Sequence, residues 1–122
     1  MSMVSYKDLL VYKKAFKLAM EILEISKRFP KEEKYSLTDQ IRRCSRSVCA
    51  NFAEAYRRRK YPAHFISKLT DSDAENAETE VWLDFACACK YISTEEHRVL
   101  ISQKEEVGRL LGDIFKNPGK YC

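Results

Sequence analysis

Apolar residues recur every three or four positions along most of the chain, and this spacing predicts four amphipathic helices. The expected helices span about residues 6–28, 37–59, 62–91 and 94–116. Phe29-Pro30 ends the first, Pro62 opens the third, and Ser93 stands three residues before Glu96, the spacing of a capping box. Short connections make consecutive helices neighbours, so we predict an all-α fold, an antiparallel up-down-up-down four-helix bundle formed by residues 1–122 as one domain.

The second and third helices each have a predicted core face. In the second helix it comprises Leu37, Ile41, Cys44, Val48, Phe52 and Ala55. In the third helix it comprises Ala74, Ala77, Val81, Phe85, Ala88 and Ile92. Asn51 intrudes on the apolar stripe of the second helix, and we interpret it as a hydrogen-bonded core or interface amide, with Glu54 as a candidate partner, rather than as a catalytic residue.

The apolar band of the first helix is broader than a narrow coiled-coil seam. Either it covers two neighbours within one bundle, or part of it is buried by another subunit; we favour the second interpretation. The predicted oligomer interface comprises Leu9, Tyr12, Phe16, Ala19 and Leu23.

Composition narrows the class of protein. Of 122 residues, 45% are hydrophobic and 33% are charged, with only three glycines and three prolines, which excludes collagen-like, Pro/Gly-rich disordered and transmembrane chains. The five cysteines form no C-x-x-C pair and sit mostly in apolar patterns, so we expect small core residues rather than a zinc site. The first residues show no signal-peptide pattern, and reduced thiols predict a cytoplasmic protein.

The net charge is only +4, but it is unevenly distributed. Residues 37–60 contain seven bases and two acids, whereas residues 71–84 contain six acids and no base. No acid in the second segment has a histidine three or four positions later in its helix, so a solvated or subunit-bridging acidic face is favoured over a metal site.

The chain also lacks a glycine-rich phosphate loop, an HExxH motif and a clustered catalytic set. We therefore expect no enzyme, no catalytic residue, no metal and no cofactor.

Several segments then carry a family resemblance. They are FP at 29–30, YSLT at 35–38, QIRRC at 40–44, SVCANFAE at 47–54 and ETEVWL at 78–83. The chain resembles the four-helix bundle proteins encoded in intervening sequences of bacterial large-subunit ribosomal RNA genes, and is similar to the accessory variability determinants of diversity-generating retroelements. It departs from the family pattern at three positions. Cys44 stands where alanine is usual, Cys49 where a small residue or proline is usual, and Ala55 where glycine is usual.

The resemblance implies a bundle that assembles as a homopentameric ring and has no established enzymatic activity. In retroelement members the basic ring surface is associated with nucleic acid and with a reverse transcriptase. Five copies of a +4 chain would carry +20, and the ring would repeat the arginine cluster five times.

Our leading hypothesis is a non-enzymatic oligomer that engages nucleic acid, RNA or DNA, or a nucleoprotein partner through its basic second helix, and does not engage a membrane. The predicted contacts are Arg42, Arg43, Arg46, Arg57, Arg58, Arg59 and Lys60. Tyr56 and Tyr61 flank the last cluster as candidate stacking surfaces. The alternative is a structural or protein–protein interaction pentamer, in which these bases solvate a helix end or pair with the acidic third helix and none binds nucleic acid.

Overall fold

A computed structural model describes residues 5–121. Four long helices, α1 (Leu10–Ser26), α2 (Leu37–Arg57), α3 (Pro62–Ala88) and α4 (Thr94–Lys116), are accompanied by short 3₁₀ helices at Tyr6–Asp8, Lys31–Glu33 and Pro118–Lys120. No strand occurs between residues 5 and 121, so the all-helical class is confirmed for the described part of the chain. Within that part, none of the helices has the length and apolar character needed to span a membrane.

The first helix begins later than predicted. Ser5 caps a 3₁₀ turn, accepting a hydrogen bond from the Lys7 N–H while its own N–H donates to Asp8. Leu9 then adopts an extended conformation, so α1 starts only at Leu10 and its last residue is Ser26 rather than residue 28. The local capping bonds therefore divide one predicted helix into two pieces.

The third helix ends three residues before the predicted boundary at residue 91. Lys90 takes a left-handed conformation with φ 64°, and the Tyr91 N–H donates to the Ala86 carbonyl at 2.9 Å. This six-to-one hydrogen bond is that of a Schellman motif, which satisfies carbonyls left free at a helix end. The α2 helix also ends earlier than predicted, at Arg57 rather than residue 59. The predicted start of α4 is confirmed, since Ser93 and Glu96 cap each other's backbone N–H groups.

Two clusters of buried side chains form the core. One contains Val11, Ala15, Val48, Phe52, Phe65, Leu69, Val107 and Leu111, and the other contains Leu18, Ile22, Phe29, Ile41, Leu83 and Leu100. Each cluster draws on all four helices. All six apolar positions predicted for the core face of α2 are buried, so that prediction is confirmed.

The predicted core face of α3 is wrong. Only Ile92, which lies beyond the helix, is buried; the other five predicted positions are exposed, and we call them the α3 stripe: Ala74, Ala77, Val81, Phe85 and Ala88. The buried face of α3 includes Ser72, Asn76 and Thr79 among Phe65, Leu69, Leu83 and Ala86.

Hydrogen bonds explain why polar residues occupy the core face of α3. The Ser72 hydroxyl donates to the Val48 carbonyl of α2 at 2.7 Å, and the Asn76 amide donates to the Lys104 carbonyl of α4 at 3.2 Å. Thr79 donates to the Glu75 carbonyl within its own helix. Burying a small polar side chain costs little free energy when the side chain is hydrogen-bonded, so hydrophobic periodicity alone predicted the wrong face.

Candidate functional site

The basic residues of α2 do not form one surface. Arg42 points to α1, where its Nε donates to the Ser26 hydroxyl at 2.7 Å. Arg43 instead reaches α3 and forms ion pairs with Glu75 at 3.0 Å and Glu78 at 2.6 Å. Both guanidinium groups are thus bonded within the chain, and Arg43 has the pairing with the acidic third helix that the alternative hypothesis expected.

The end of α2 is different. Arg57, Arg58 and Lys60 are exposed, and no ion pair found among residues 5–121 includes any of them. They follow one another around the turn into α3, which begins at Pro62. Three cationic groups that form no ion pair within the described part of the chain therefore stand together at one end of the bundle, with Arg58 near enough to Glu54 to help lower the pKa of that carboxyl group.

Arg59 is held on the protein surface beside this group. Its guanidinium lies 3.6 Å from the centre of the Tyr56 ring, and it donates to the Tyr56 carbonyl at 2.7 Å. Tyr56 is itself buried and stacked on Phe52, so it is not available as a stacking surface, and that prediction is corrected. Tyr61, by contrast, is 57% exposed, with its ring 5.9 Å from that of His64.

The chain's end adds bases that the sequence analysis missed. Tyr121 packs against the core cluster that contains Phe52 and Phe65, and burial raises its pKa, with smaller contributions from nearby Asp113 and Tyr56. The exposed Lys116 and Lys120 therefore flank the same end of the bundle as Arg57. The up-down-up-down order predicted from the sequence was the available signal, because it would place the ends of the second and fourth helices together.

Asn51 and Glu54 are linked by a residue that sequence reasoning also missed. Lys68 of α3 donates to the Asn51 side-chain oxygen at 3.0 Å and pairs with Glu54 at 2.7 Å, while the Asn51 amide donates to the Ser47 carbonyl. The hydrogen bond from Lys68 lowers the pKa of Glu54. Asn51 is half-buried at the contact between α2 and α3 rather than in the core, and its hydrogen bonds are those of a structural amide.

Most of the acids on α3 are paired within the chain. Besides Glu75 and Glu78, which bind Arg43, Glu80 pairs with Lys104 at 2.9 Å and Asp84 with His97 at 2.8 Å. No group of three or more His, Cys, Asp or Glu side chains within residues 5–121 is arranged to hold a metal ion. The thiols of Cys44 and Cys49 have pKa values raised by burial to about 11, which makes them poor nucleophiles at neutral pH.

The hydrogen bond between Glu78 and Trp82 gives a spectroscopic prediction. The Trp82 indole donates to the Glu78 carboxylate at 3.0 Å, and this bond, together with Arg43, lowers the pKa of Glu78. Because Trp82 is the sole tryptophan, we expect its fluorescence to change as acidification protonates Glu78, below the ordinary range for glutamate. Glu78→Gln should abolish this transition, whereas Glu95→Gln, at another lowered carboxyl, should preserve it. A transition that persists in Glu78→Gln would contradict the assignment.

Only three of the five residues predicted for the oligomer interface line an open surface groove. Tyr12, Phe16 and Ala19 line an open groove between α1 and α2, which we call the α1–α2 groove. Leu9 and Leu23 are half-buried and do not line it. The groove has a volume of about 370 Å³, and its remaining lining residues are Tyr6, Met20, Arg46, Cys49, Ala50 and Ala53. Arg46, assigned from sequence to the basic surface, thus belongs to this groove.

The chain resembles known proteins in both sequence and structure. Residues 7–113 match the family model described as 23S rRNA-intervening sequence protein. The fold is similar to the crystal structure of a protein with unknown function from the S23 ribosomal protein family of Bacteroides thetaiotaomicron, with 31% sequence identity and a TM-score of 0.80 over 88% of this chain and all of that one. No curated protein matches the sequence.

Proposed function

Because the chain belongs to the 23S rRNA-intervening sequence protein family, we propose that it is a non-enzymatic, oligomeric helical bundle that binds nucleic acid, alone or within a nucleoprotein partner. The observation that carries this proposal is the exposed group of Arg57, Arg58 and Lys60, which lack ion-pair partners among residues 5–121. Lys116 and Lys120 extend the same basic end. We call these five residues the basic end.

The chemistry of the basic end suits phosphate. Arginine presents a rigid fork of N–H donors that matches phosphate oxygens, and lysine adds a point charge. The exposed ring of Tyr61 lies immediately after Lys60, where it can stack on an unpaired base. Such contacts are made mainly to the backbone of the nucleic acid, so we expect binding with strong salt dependence and little sequence preference.

The antiparallel order of the helices is part of the same proposal, and it determines which helix ends lie together. Its support comes from pairs in which late residues of one helix meet early residues of the next: Asn51 of α2 meets Lys68 of α3, whereas the earlier Arg43 meets the later Glu78. Two further pairs, Asp84 with His97 and Glu80 with Lys104, follow this order between α3 and α4. This arrangement collects the ends of α2 and α4 at the basic end.

We also propose that five copies form a ring, as the resemblance to retroelement accessory determinants implies. Each copy contributes a +4 chain, so a pentamer carries +20 and repeats the basic end five times around one axis. Weak phosphate contacts on a shared framework reinforce each other through effective concentration, provided that one nucleic acid can reach several copies. The proposed location is the cytoplasm, supported by the four described cysteines, which are all free thiols.

The test is direct binding of labelled single-stranded and duplex RNA and DNA at 50 and 200 mM salt, measured by fluorescence anisotropy. We expect wild-type affinity to fall steeply with salt, and the triple variant R57A/R58A/K60A to bind at least about tenfold more weakly with a salt slope reduced by roughly two to three. The matched control is K31A/K34A/K90N, which removes three charges at the opposite end and keeps a residue that tolerates the left-handed conformation of position 90.

Two results would overturn the nucleic-acid proposal. One is the absence of binding by the wild-type protein at 50 mM salt. The other is an equal loss in the control variant, which would indicate a response to total charge alone. The second candidate function, a structural or protein–protein interaction pentamer, is favoured by the internal pairing of Arg43 with Glu75 and Glu78. An oligomeric wild-type protein that binds no nucleic acid would support it.

A further inference from the structure

Two exposed apolar surfaces lie on different helices of the described chain. The first is the α3 stripe, whose Val81 and Phe85 are about half exposed, at 47% and 54%. The second is the α1–α2 groove, where Phe16 and Met20 are exposed to a similar degree. Neither surface belongs to the basic end. Exposed apolar residues collected on one helix face or in one groove are typical of interaction surfaces.

The α3 stripe has an acidic border. Its five members recur at intervals of three and four, so they form one face of the helix, and Asp73 and Asp84 flank that face on one side. Both aspartates are exposed, and Asp71 lies beside the opposite edge. Asp84 is paired with His97 and Asp71 lies 3.8 Å from Lys68, whereas no ion pair found among residues 5–121 includes Asp73. The stripe also contains Ala74 and Ala77, whose small side chains let another helix approach closely.

The α1–α2 groove has a basic border. Arg46 of α2 lines it directly, and Lys13 and Lys17 lie next to Phe16 on the outer side of α1. All three side chains are exposed, and while Lys17 lies 3.9 Å from Glu21, no ion pair found in the described part of the chain includes Arg46 or Lys13. The α2 wall of the groove is formed by Ala50 and Ala53, so it too can accept a close helix.

We propose that the α1–α2 groove of one copy binds the α3 stripe of a second copy, head to tail. The inference rests on the proposed oligomer and specifies how its subunits meet. The occupant is a second copy because the two surfaces complement each other in apolar character, in small residues and in the sign of their borders, with Asp73 of the stripe opposite Arg46 and Lys13 of the groove. Interfaces between two different surfaces of the same chain generate rings when the rotation closes.

Self-pairing of either surface is disfavoured by the same charges. Two α3 stripes packed together would oppose their rows of aspartate, and two grooves would oppose their lysines and Arg46. Like charges brought together at an interface are costly. Each copy therefore has one groove and one stripe, and blocking either surface should leave that variant a monomer.

The test uses two blocking variants of the full chain, Phe16→Glu in the groove and Val81→Glu in the stripe, with Val99→Glu as a matched control at an exposed apolar site on α4. A carboxylate introduced at an apolar contact must be desolvated, which opposes association. Light scattering should show an oligomer for the wild type and the control, and a 14.3 kDa monomer for each blocking variant alone. An equimolar mixture of the two blocking variants should form a heterodimer, because one intact groove and one intact stripe remain.

The outcomes separate this inference from the proposed function. A wild-type protein that stays monomeric overturns both the proposed oligomer and the head-to-tail contact. An oligomeric wild type overturns the contact alone if either blocking variant still self-associates, or if the mixture gives no heterodimer. Circular dichroism melting curves identify any variant that fails to fold. Such a variant is replaced by Phe16→Ala or Val81→Ala, which keeps the helix and removes the side-chain contact. Each alanine variant should weaken self-association relative to Val99→Ala.

Discussion

Replacing Asn76 by aspartate is expected to destabilise the protein by about 3–5 kcal/mol at neutral pH, the cost of leaving an uncompensated charge in a core. Asn76 is only 2% exposed, and its amide is the donor to the Lys104 carbonyl. A carboxylate cannot donate this bond and would place its negative charge against the carbonyl oxygen. The side-chain oxygen of Asn76 is buried without a hydrogen-bond partner, so no donor is in place to stabilise the new charge.

Urea unfolding as a function of pH measures this effect. Burial would raise the folded-state pKa of the new carboxyl group above its unfolded value of about 4. The destabilisation relative to wild type is therefore full above the raised folded-state pKa and shrinks as the pH falls through it toward about 4. Asn76→Leu, an uncharged change of similar size, should cost less and show no such pH dependence relative to wild type. A pH-independent loss in Asn76→Asp would contradict this account.

Phe52→Ala should cost about 3–5 kcal/mol and lower the melting temperature by roughly 10–20 °C. Phe52 is 1% exposed at the centre of one core cluster, and it supports the ring of Tyr56 on which Arg59 lies. Removing it opens a cavity beneath the basic end. The substitution should therefore destabilise the fold and loosen the turn that carries Arg57 and Arg58.

Calorimetry compares this variant with Tyr35→Ala, which removes an aromatic ring that is 83% exposed. The control should change stability by no more than about 0.5 kcal/mol, as is usual for surface sites. Equal effects of the two substitutions would mean that Phe52 is not packed as described. Nucleic-acid binding by the folded Phe52→Ala variant is then measured well below its melting temperature. A weaker affinity than that of the wild type would show that packing beneath Arg59 supports binding at the basic end.

The two proposals assign different surfaces to different tasks. The basic end is left for nucleic acid, whereas the α1–α2 groove and the α3 stripe are used between copies. Arg46 belongs to the second task although it lies in the same helix as Arg57. We therefore expect charge loss at the basic end to leave assembly intact and charge loss at Arg46 to weaken it.

The helices and much of the core follow from local patterns in the sequence. The predicted core face of α2, from Leu37 to Ala55, is buried as expected, and the capping box at Ser93 begins α4 at the expected residue. These features depend on residues three or four apart, which interact within one helix whatever surrounds it. For the same reason the resemblance to the family was readable from short segments, and residues 7–113 match its model.

Contacts between helices, in contrast, determine which face of α3 is buried and which bases of α2 form no ion pair in the described chain. Ser72 and Asn76 are in the core because carbonyl groups of α2 and α4 accept their hydrogen bonds. Arg43 is occupied because Glu75 and Glu78 lie opposite it, 32 and 35 positions later in the chain. The hydrophobicity pattern of one helix contains no information about such distant partners. Whether a buried polar group is hydrogen-bonded, and whether a charged group is paired, is therefore determined only when the helices pack.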